Sequence, residues 1–412
     1  MNRLINPSLR LSVKACALSL VAMCASSGFA ATYYVATTGS DSNAGTLAAP
    51  FKSITKAQSV ASSGDTVSIR GGTYSSFTIA ANDSTYNYVH QLSKSGITYA
   101  AYSGETPTFN FSSVTTAKRV CAFQVTGSNI KIQGIVVTGT PVGSQKQSEN
   151  FRITGSSASC AFTRVVCRDS KANGFYFTSG GSGSCTNCDA YNNIGGTSTA
   201  NGNTDGFGAH GKSVTFSNCR SWHNSDDGYD CISVDNAITF DHCWAYNMTA
   251  GGDSNGFKVG GYGTSGTVAS PMPSHTVKYC LSASNGSHGF YANHQPGKAA
   301  DWTNNTAYNN GSGNYNMLEQ VSATDRTDIP GTREVLHYNI AFTGTIIKND
   351  NNTAANTTNN SWTKSGVTVS SADFQSTDAS QMDNARTSSG GLPSITFMKL
   401  ASGSDLAGMG CF

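Results

Sequence analysis

The chain has 412 residues, with 26 Lys and Arg against 24 Asp and Glu, and only 12% of its residues are charged. Arg3, Arg10 and Lys14 are the only charges among the first 30 residues, so the rest carries 23 basic against 24 acidic side chains. Such a balance excludes the basic stripe of a nucleic-acid binder, and 44 glycines among abundant Asn, Ser and Thr suit short strands and tight turns, not long surface helices.

In chain order, the charged start is followed by an apolar run from Ala15 to Ala25 and by Ser26-Ser27-Gly28-Phe29-Ala30. This reads as a secretory signal peptide cleaved after Ala30, with one domain spanning 31–412. The apolar run is too short to cross a bilayer, and no later segment approaches the roughly 20 apolar residues a spanning helix needs. Tyr33-Tyr34-Val35 predicts a strand, Pro50 precedes an amphipathic helix near Ser53 to Ala61, and Gly64 to Ile69 predicts a strand running into the turn Gly71-Gly72-Thr73-Tyr74. A helix there would cover the open end of a stacked architecture.

From about 160 to 315 two signatures alternate. One is Asn187-Cys188, Asn218-Cys219, His242-Cys243 and Tyr279-Cys280, with Asn304-Asn305 in the same position; the other is a triplet, Asn173-Gly174-Phe175, Asp205-Gly206-Phe207, Asp227-Gly228-Tyr229, Asn255-Gly256-Phe257 and His288-Gly289-Phe290. The triplet glycines step by 32, 22, 28 and 33 residues, so the unit is about 22 residues with inserted loops. Runs such as Ser213 to Phe216 and Ala237 to Phe240 read as short strands between turns. Repeats of this length predict an all-β, single-domain parallel β-solenoid with an irregular C-terminal cap beyond about 318.

Stacking places Cys188, Cys219, Cys243 and Cys280 in one column, read first as a packing ladder and second as disulfides. The Cys185-x-x-Cys188 pair lacks the second pair that a zinc site of this kind requires. Asn193, Asn224 and Asn285 are read as a structural amide ladder, and the aromatic residues at 175, 207, 229, 257 and 290 as a stacked core.

Used as a ruler, the triplets put Asp205, Asp227 and Asn255 in one column, and Tyr176, Gly208, Asp230, Lys258 and then Tyr291 or its neighbour in another three residues on. Asp205, Asp226, Asp227 and Asp230 thus converge from two neighbouring coils. Four close carboxylates demand a cation, and all-oxygen ligands suit calcium. Strict strand alternation would put Asp227 and Asp230 on opposite faces, so Gly228 is expected to break the strand. Lys258, one coil on, is the candidate base, its charged form disfavoured by the adjacent ion. The chemistry this allows is proton abstraction at C5 of a uronate, α to the carboxylate, followed by β-elimination of the 4-linked oxygen.

At Asn203-Thr204-Asp205-Gly206-Phe207, Asn224-Ser225-Asp226-Asp227-Gly228-Tyr229-Asp230 and Asn255-Gly256-Phe257-Lys258 the sequence resembles polysaccharide lyase family 9, the pectate lyases with a right-handed parallel β-helix. The resemblance extends from Tyr33 to about 315. It implies calcium ligation by Asp205, Asp226, Asp227 and Asp230 and a base at Lys258, in an enzyme whose members differ in preferring pectate, rhamnogalacturonan or other uronic-acid polymers.

The expected partner is therefore an acidic polysaccharide such as polygalacturonate, met by a secreted monomer with no nucleic-acid or membrane partner. Two rivals stand beside this reading: a polygalacturonase-type hydrolase using Asp205, Asp226 and Asp227, in which Asp230 would have no role, and a non-catalytic solenoid adhesin with structural calcium. His210, Lys212, Arg220, His223, His294 and Lys298 could meet substrate carboxylates but read first as solvated loop residues. Four carboxylates against one divalent ion leave about two net negative charges beside an anionic substrate, so a nearby basic side chain or further calcium carried with the polymer is expected.

Overall fold

The computed structural model describes residues 30–412 apart from 116, 144–146, 156, 233, 235, 250, 262–272, 294–299, 323, 330–333 and 351–355. The segment read as a signal peptide, His294, Lys298 and nearly all of the insertion from Tyr262 to Ser274 lie outside the described residues.

Three sheets of 12, 10 and 11 strands wind around a common core, and each coil gives one strand to each sheet. Val214–Ser217, Arg220–Trp222 and Tyr229–Cys231 form one coil; Ile238–Asp241, Trp244–Tyr246 and Phe257–Val259 form the next. Neighbours pair in parallel, in register, across these coils. Among the named strands only Ala81–Asn82 runs antiparallel, against Tyr86–Leu92. The architecture is the parallel β-helix that the repeat predicts, and it begins much earlier than the repeat is legible, at Thr32–Val35.

The inner columns explain the signatures. Phe175, Phe207, Tyr229, Phe257 and Phe290 stack in sequence with centroids 5.0, 4.9, 4.6 and 5.0 Å apart and planes within 16° of parallel. Each is fully buried, so the column is core and not a sugar platform. Cys188, Cys219, Cys243 and Cys280 occupy one register position, and all ten cysteines from Cys121 to Cys411 are free and buried. Packing, not disulfide bonding, is their role in this fold. Asn305 and Asn339 continue that column, with Asn305 Nδ2 donating to Asn339 Oδ1 at 3.1 Å.

The expected amide ladder is also present. Asn193 Nδ2 donates to Asn224 Oδ1 at 2.9 Å, and Asn285 Nδ2 to Asn310 Oδ1 at 2.9 Å. Met248, whose backbone N–H donates to Asn285 Oδ1, takes the intervening place.

The ends are closed differently. Helix Ile54–Val60, capped by Ser53 accepting from the Lys56 N–H, buries Ile54 and Ala57 against the first coils. At the other end Trp362 lies 5.0 Å from Tyr315, which continues the inner aromatic column beyond Phe290. The chain then runs back along the outer face of the ten-stranded sheet, where Phe374, Met382, Phe397 and Met409 pack with Trp244, Tyr246 and Leu281.

Candidate active site

The 11-stranded sheet carries the candidate residues. The triplet column is a backbone-binding ladder: Asn173 Oδ1 accepts from the Asp205 N–H at 2.6 Å, Asp205 Oδ1 from the Asp227 N–H at 3.2 Å, Asp227 Oδ1 from the Asn255 N–H at 2.8 Å, and Asn255 Oδ1 from the His288 N–H at 3.1 Å. Either Asn or Asp can supply that acceptor. An aspartate differs in bringing a second, charged oxygen.

The triplet glycines are needed for clearance. A Cβ at Gly228 would come within 2.6 Å of the Gly256 carbonyl oxygen, and one at Gly256 within 2.7 Å of the Gly289 carbonyl oxygen. Gly228 itself lies in a bend outside the strand, as the interruption expected there requires. The strand starts after it, at Tyr229, and this frees Asp227 from strand alternation. Asp230 sits within the strand, in register with Gly208 before it and Lys258 after it, as the ruler requires.

The four aspartates are all buried: Asp205, Asp226, Asp227 and Asp230 are 5, 5, 0 and 6% exposed. Oxygens of Asp205, Asp227 and Asp230 lie within 4.8 Å of one another, and so do oxygens of Asp226, Asp227 and Asp253. Lys258 Nζ stands 3.2 Å from Asp227 Oδ2, 3.6 Å from Asp230 Oδ2 and 2.9 Å from Asp253 Oδ2. Asp253 donates its backbone N–H to Asp226 Oδ1 at 2.7 Å, which ties the two coils together. It occupies no triplet position, and only its charge five residues before Lys258 could have marked it.

Burial and mutual repulsion push the carboxyls upward. Asp205 is raised well above the usual range by burial and then by Asp226, Asp230 and Asp227. Asp226 is pushed to about 8 by burial and Asp227. Asp227 reaches about 6, burial being opposed by the Lys258 ammonium. The same ammonium holds Asp253 below the ordinary carboxylate range. Burial disfavours the Lys258 charge, but Asp227, Asp230, Asp253 and Asp226 outweigh it and raise the amine well above its ordinary value. Lys258 is thus the counter-ion of the cluster in this arrangement.

The residues fit a hard cation. Asp230 Oδ1 is buried and receives no hydrogen bond, and the buried Asp227 Oδ2 has only the Lys258 ammonium beside it, although both aspartates belong to the three-carboxylate group. Buried carboxylate oxygens left in this way are the donors that a calcium ion takes. Oxygens this crowded suit a shared cation better than the about 6.5–9.5 Å that an inverting hydrolase keeps between its acid and base. Arg326, exposed on the surface, acts electrostatically on Asp253 and Tyr291, and is a basic side chain of the kind that the excess negative charge demands.

The other basic candidates separate. His210 Nδ1 lies 3.1 Å from the Ile232 carbonyl oxygen and its ring 5.0 Å from that of Tyr176, on the same sheet as the cluster. Lys212 and His223 are exposed. Arg220 departs from the expectation of a solvated loop residue. It is 5% exposed, paired with Asp189 at 3.0 Å, and donates to the Met382 and Asn384 carbonyls of the returning C-terminal segment. That segment, invisible to local reading, makes Arg220 a structural residue.

The Pel9A-like, right-handed β-helix region, as a family, matches residues 33–339. The chain belongs to that family, polysaccharide lyase family 9. It is 29% identical over 395 residues to pectate lyase L of Dickeya chrysanthemi, covering 92% of this chain and 85% of the relative. It is 28% identical to pectate lyase PEL9 of Emericella nidulans, covering 68% and 74%. Among solved structures it is similar to a rhamnogalacturonan lyase, with TM-score 0.85, 33% identity and 92% and 99% coverage. It is also similar to pectate lyase Pel9A, with TM-score 0.73, 25% identity and 93% and 92% coverage. This family 9 chain is a polysaccharide lyase, and the hydrolase and adhesin readings fall away.

Proposed function

We propose that the protein is a secreted, calcium-dependent pectate lyase that cleaves 1,4-linked galacturonan by β-elimination, with Lys258 as the base. One observation carries this reading: three buried carboxylates from adjacent coils share a space within 4.8 Å, and Lys258 Nζ stands at its edge, 3.2 and 3.6 Å from two of them. Secretion rests on the leader sequence alone.

Asp205, Asp226, Asp227 and Asp230 would hold the ion. Bound calcium would neutralise the carboxylates, release Lys258 from its counter-ion role and polarise the substrate carboxylate. The Lys258 Nζ lone pair takes the proton from C5, the C5–H electron pair becomes the C4=C5 double bond, and the C4–O4 bond breaks with its electrons leaving on oxygen. O4 ends protonated, as a hydroxyl of the departing fragment, and no water is consumed. Asp253 and Asp230 orient the amine, and the ladder bonds from Asp205 and Asp227 fix the carboxylates against rotation.

A second substrate, the galacturonate-containing rhamnogalacturonan backbone, is favoured by the higher identity and TM-score of the rhamnogalacturonan lyase. The reaction and the roles are the same. Incubating purified protein with polygalacturonate and with rhamnogalacturonan, with and without chelator, is expected to give chelator-sensitive absorbance of unsaturated uronides on one of them. Reducing ends without that absorbance would overturn the elimination, and activity that survives full chelation would remove calcium from it.

A further inference from the structure

The outward column that holds Asp230 and Lys258 continues toward the N-terminus as Gly208, Tyr176 and Arg152, all in direct register. Glu149 and Arg152 therefore repeat, three coils before Asp227 and Asp230, the same three-residue spacing in the same two columns. Asn150 stands where later coils have glycine and hides this coil from the triplet pattern. Its side chain turns aside to accept from Thr140 and Ser170.

The Arg152 guanidinium is held in place but not used up. Nη1 donates to Tyr86 Oη at 3.1 Å and to Glu149 Oε1 at 3.3 Å, and the group lies 4.6 Å over the Tyr86 ring. Among the described residues its Nε and Nη2 make no hydrogen bond, and 21% of the side chain is open to solvent. Arg119 stands behind it. Its Nη1 donates to the same Tyr86 oxygen at 3.0 Å, while its Nε is buried with no acceptor. Two guanidiniums face one buried carboxylate, Glu149, so the cluster has one positive charge in excess, on a protein that is otherwise near neutral.

Between this cluster and the aspartates the floor carries rings and no charged side chain of its own column. Gly208 presents no side chain, and the Tyr176 ring leans over it, 2.8 Å from where a Cβ would stand. Gly208 lies buried beneath that ring and His210, so the floor is shallow and aromatic, a surface along which a sugar chain can lie. Four coil steps at about 4.8 Å put Arg152 roughly 19 Å from Lys258, the reach of several sugar units.

We infer that Arg152, backed by Arg119 and Tyr86, is a second anion-binding position that grips a uronate carboxylate of the polymer several units from the bond being cut. The planar fork with free N–H groups on a pre-oriented guanidinium is the geometry that carboxylates select. This inference rests on the lyase reading, but its consequence is separate: Arg152 contributes to holding long chains and not to the chemical step.

The alternative role, neutralising buried Glu149, is removed by the paired variant Glu149→Gln/Arg152→Gln, which deletes both charges at nearly constant size. On whichever polymer the wild type cuts, the pair is expected to raise KM roughly tenfold, the value of one charge-assisted hydrogen bond. The saturating kcat and the thermal midpoint are expected to stay the same. If the pair does not fold, Arg152→Lys keeps the ion pair and loses only the fork, and is expected to raise KM by a smaller factor at unchanged kcat. An unchanged KM in the folded variant, or a fall in kcat alone, overturns the inference. Absence of unsaturated product from the wild type overturns the lyase reading instead.

Discussion

Two stretches of the same ladder, one built on amides and one on acids, show how this scaffold is converted into a site. At Asn173 and Asn255 the side-chain oxygen accepts the next coil's amide and the residue is otherwise structural. At Asp205 and Asp227 it accepts in the same way, but each residue brings a second oxygen and a charge into a buried position. The change costs the fold little hydrogen bonding and a large electrostatic strain, which falls on Lys258 in the neighbouring coil. Function is therefore superposed on a position that the fold already requires.

The comparison is broken most severely at the lysine. Lys258→Ala is expected to lower kcat by about 10²–10⁴-fold, the range of a positioned general base, with the circular dichroism and the coil register intact. Substantial elimination activity in that variant removes Lys258 from the mechanism.

Asp227→Asn tests the two halves of the residue separately. The amide keeps the acceptor for the Asn255 N–H, so the melting temperature in chelator should hold or rise, while turnover falls roughly a hundredfold or more with the lost charge stabilisation. Asp227→Ala should lose the same activity and about 1–3 kcal/mol of stability as well, because it leaves the backbone donor unpaired. Equal stability of the Asn and Ala variants would deny the ladder its role.

The effect that leaves turnover untouched concerns a column without acids. His90 pairs in register with Phe123 and is stacked on it, 4.8 Å away, and both its ring nitrogens are buried without a partner. Burial pushes its pKa down to about 4, against about 6.5 in the unfolded chain. The unfolded state then binds more protons between those values, so stability rises with pH from about 4 to 6.5 and is lost as pH falls through that window. Urea titrations should show a contribution on the order of 3 kcal/mol from this group. His275 and His288 are pushed down to about 4 as well, so His90→Phe is expected to reduce the slope there by its own share, and an identical pH slope in the variant would assign it elsewhere.

What could be read from the sequence follows from which contacts are periodic. The triplet ruler placed Tyr176, Gly208, Asp230, Lys258 and Tyr291 in the column that the register displays, because a stacked coil fixes each residue by its distance from the glycine. Asp253 escaped because it lies in a corner whose length varies from coil to coil. Arg152 escaped because Asn150 replaces the glycine that would have marked its coil. Arg220 was misread because its partners Met382 and Asn384 are more than 160 residues away. Periodicity carries information between neighbours and none across such distances.

The returning C-terminal segment alters how the array holds together. In a simple solenoid each coil touches only the next, and stability is a chain of nearest-neighbour terms that can fray from an end. Here Arg386 binds Asp189 and the Cys188 and Asn218 carbonyls, while the Gly410 N–H reaches the Tyr338 carbonyl and the Cys411 N–H reaches Thr306 Oγ1. One segment thus links coils that are not neighbours, and unwinding any of them requires the splint to detach. The molecule becomes a closed cooperative unit in place of a zipper, with the acid-bearing coils inside the length that the splint spans.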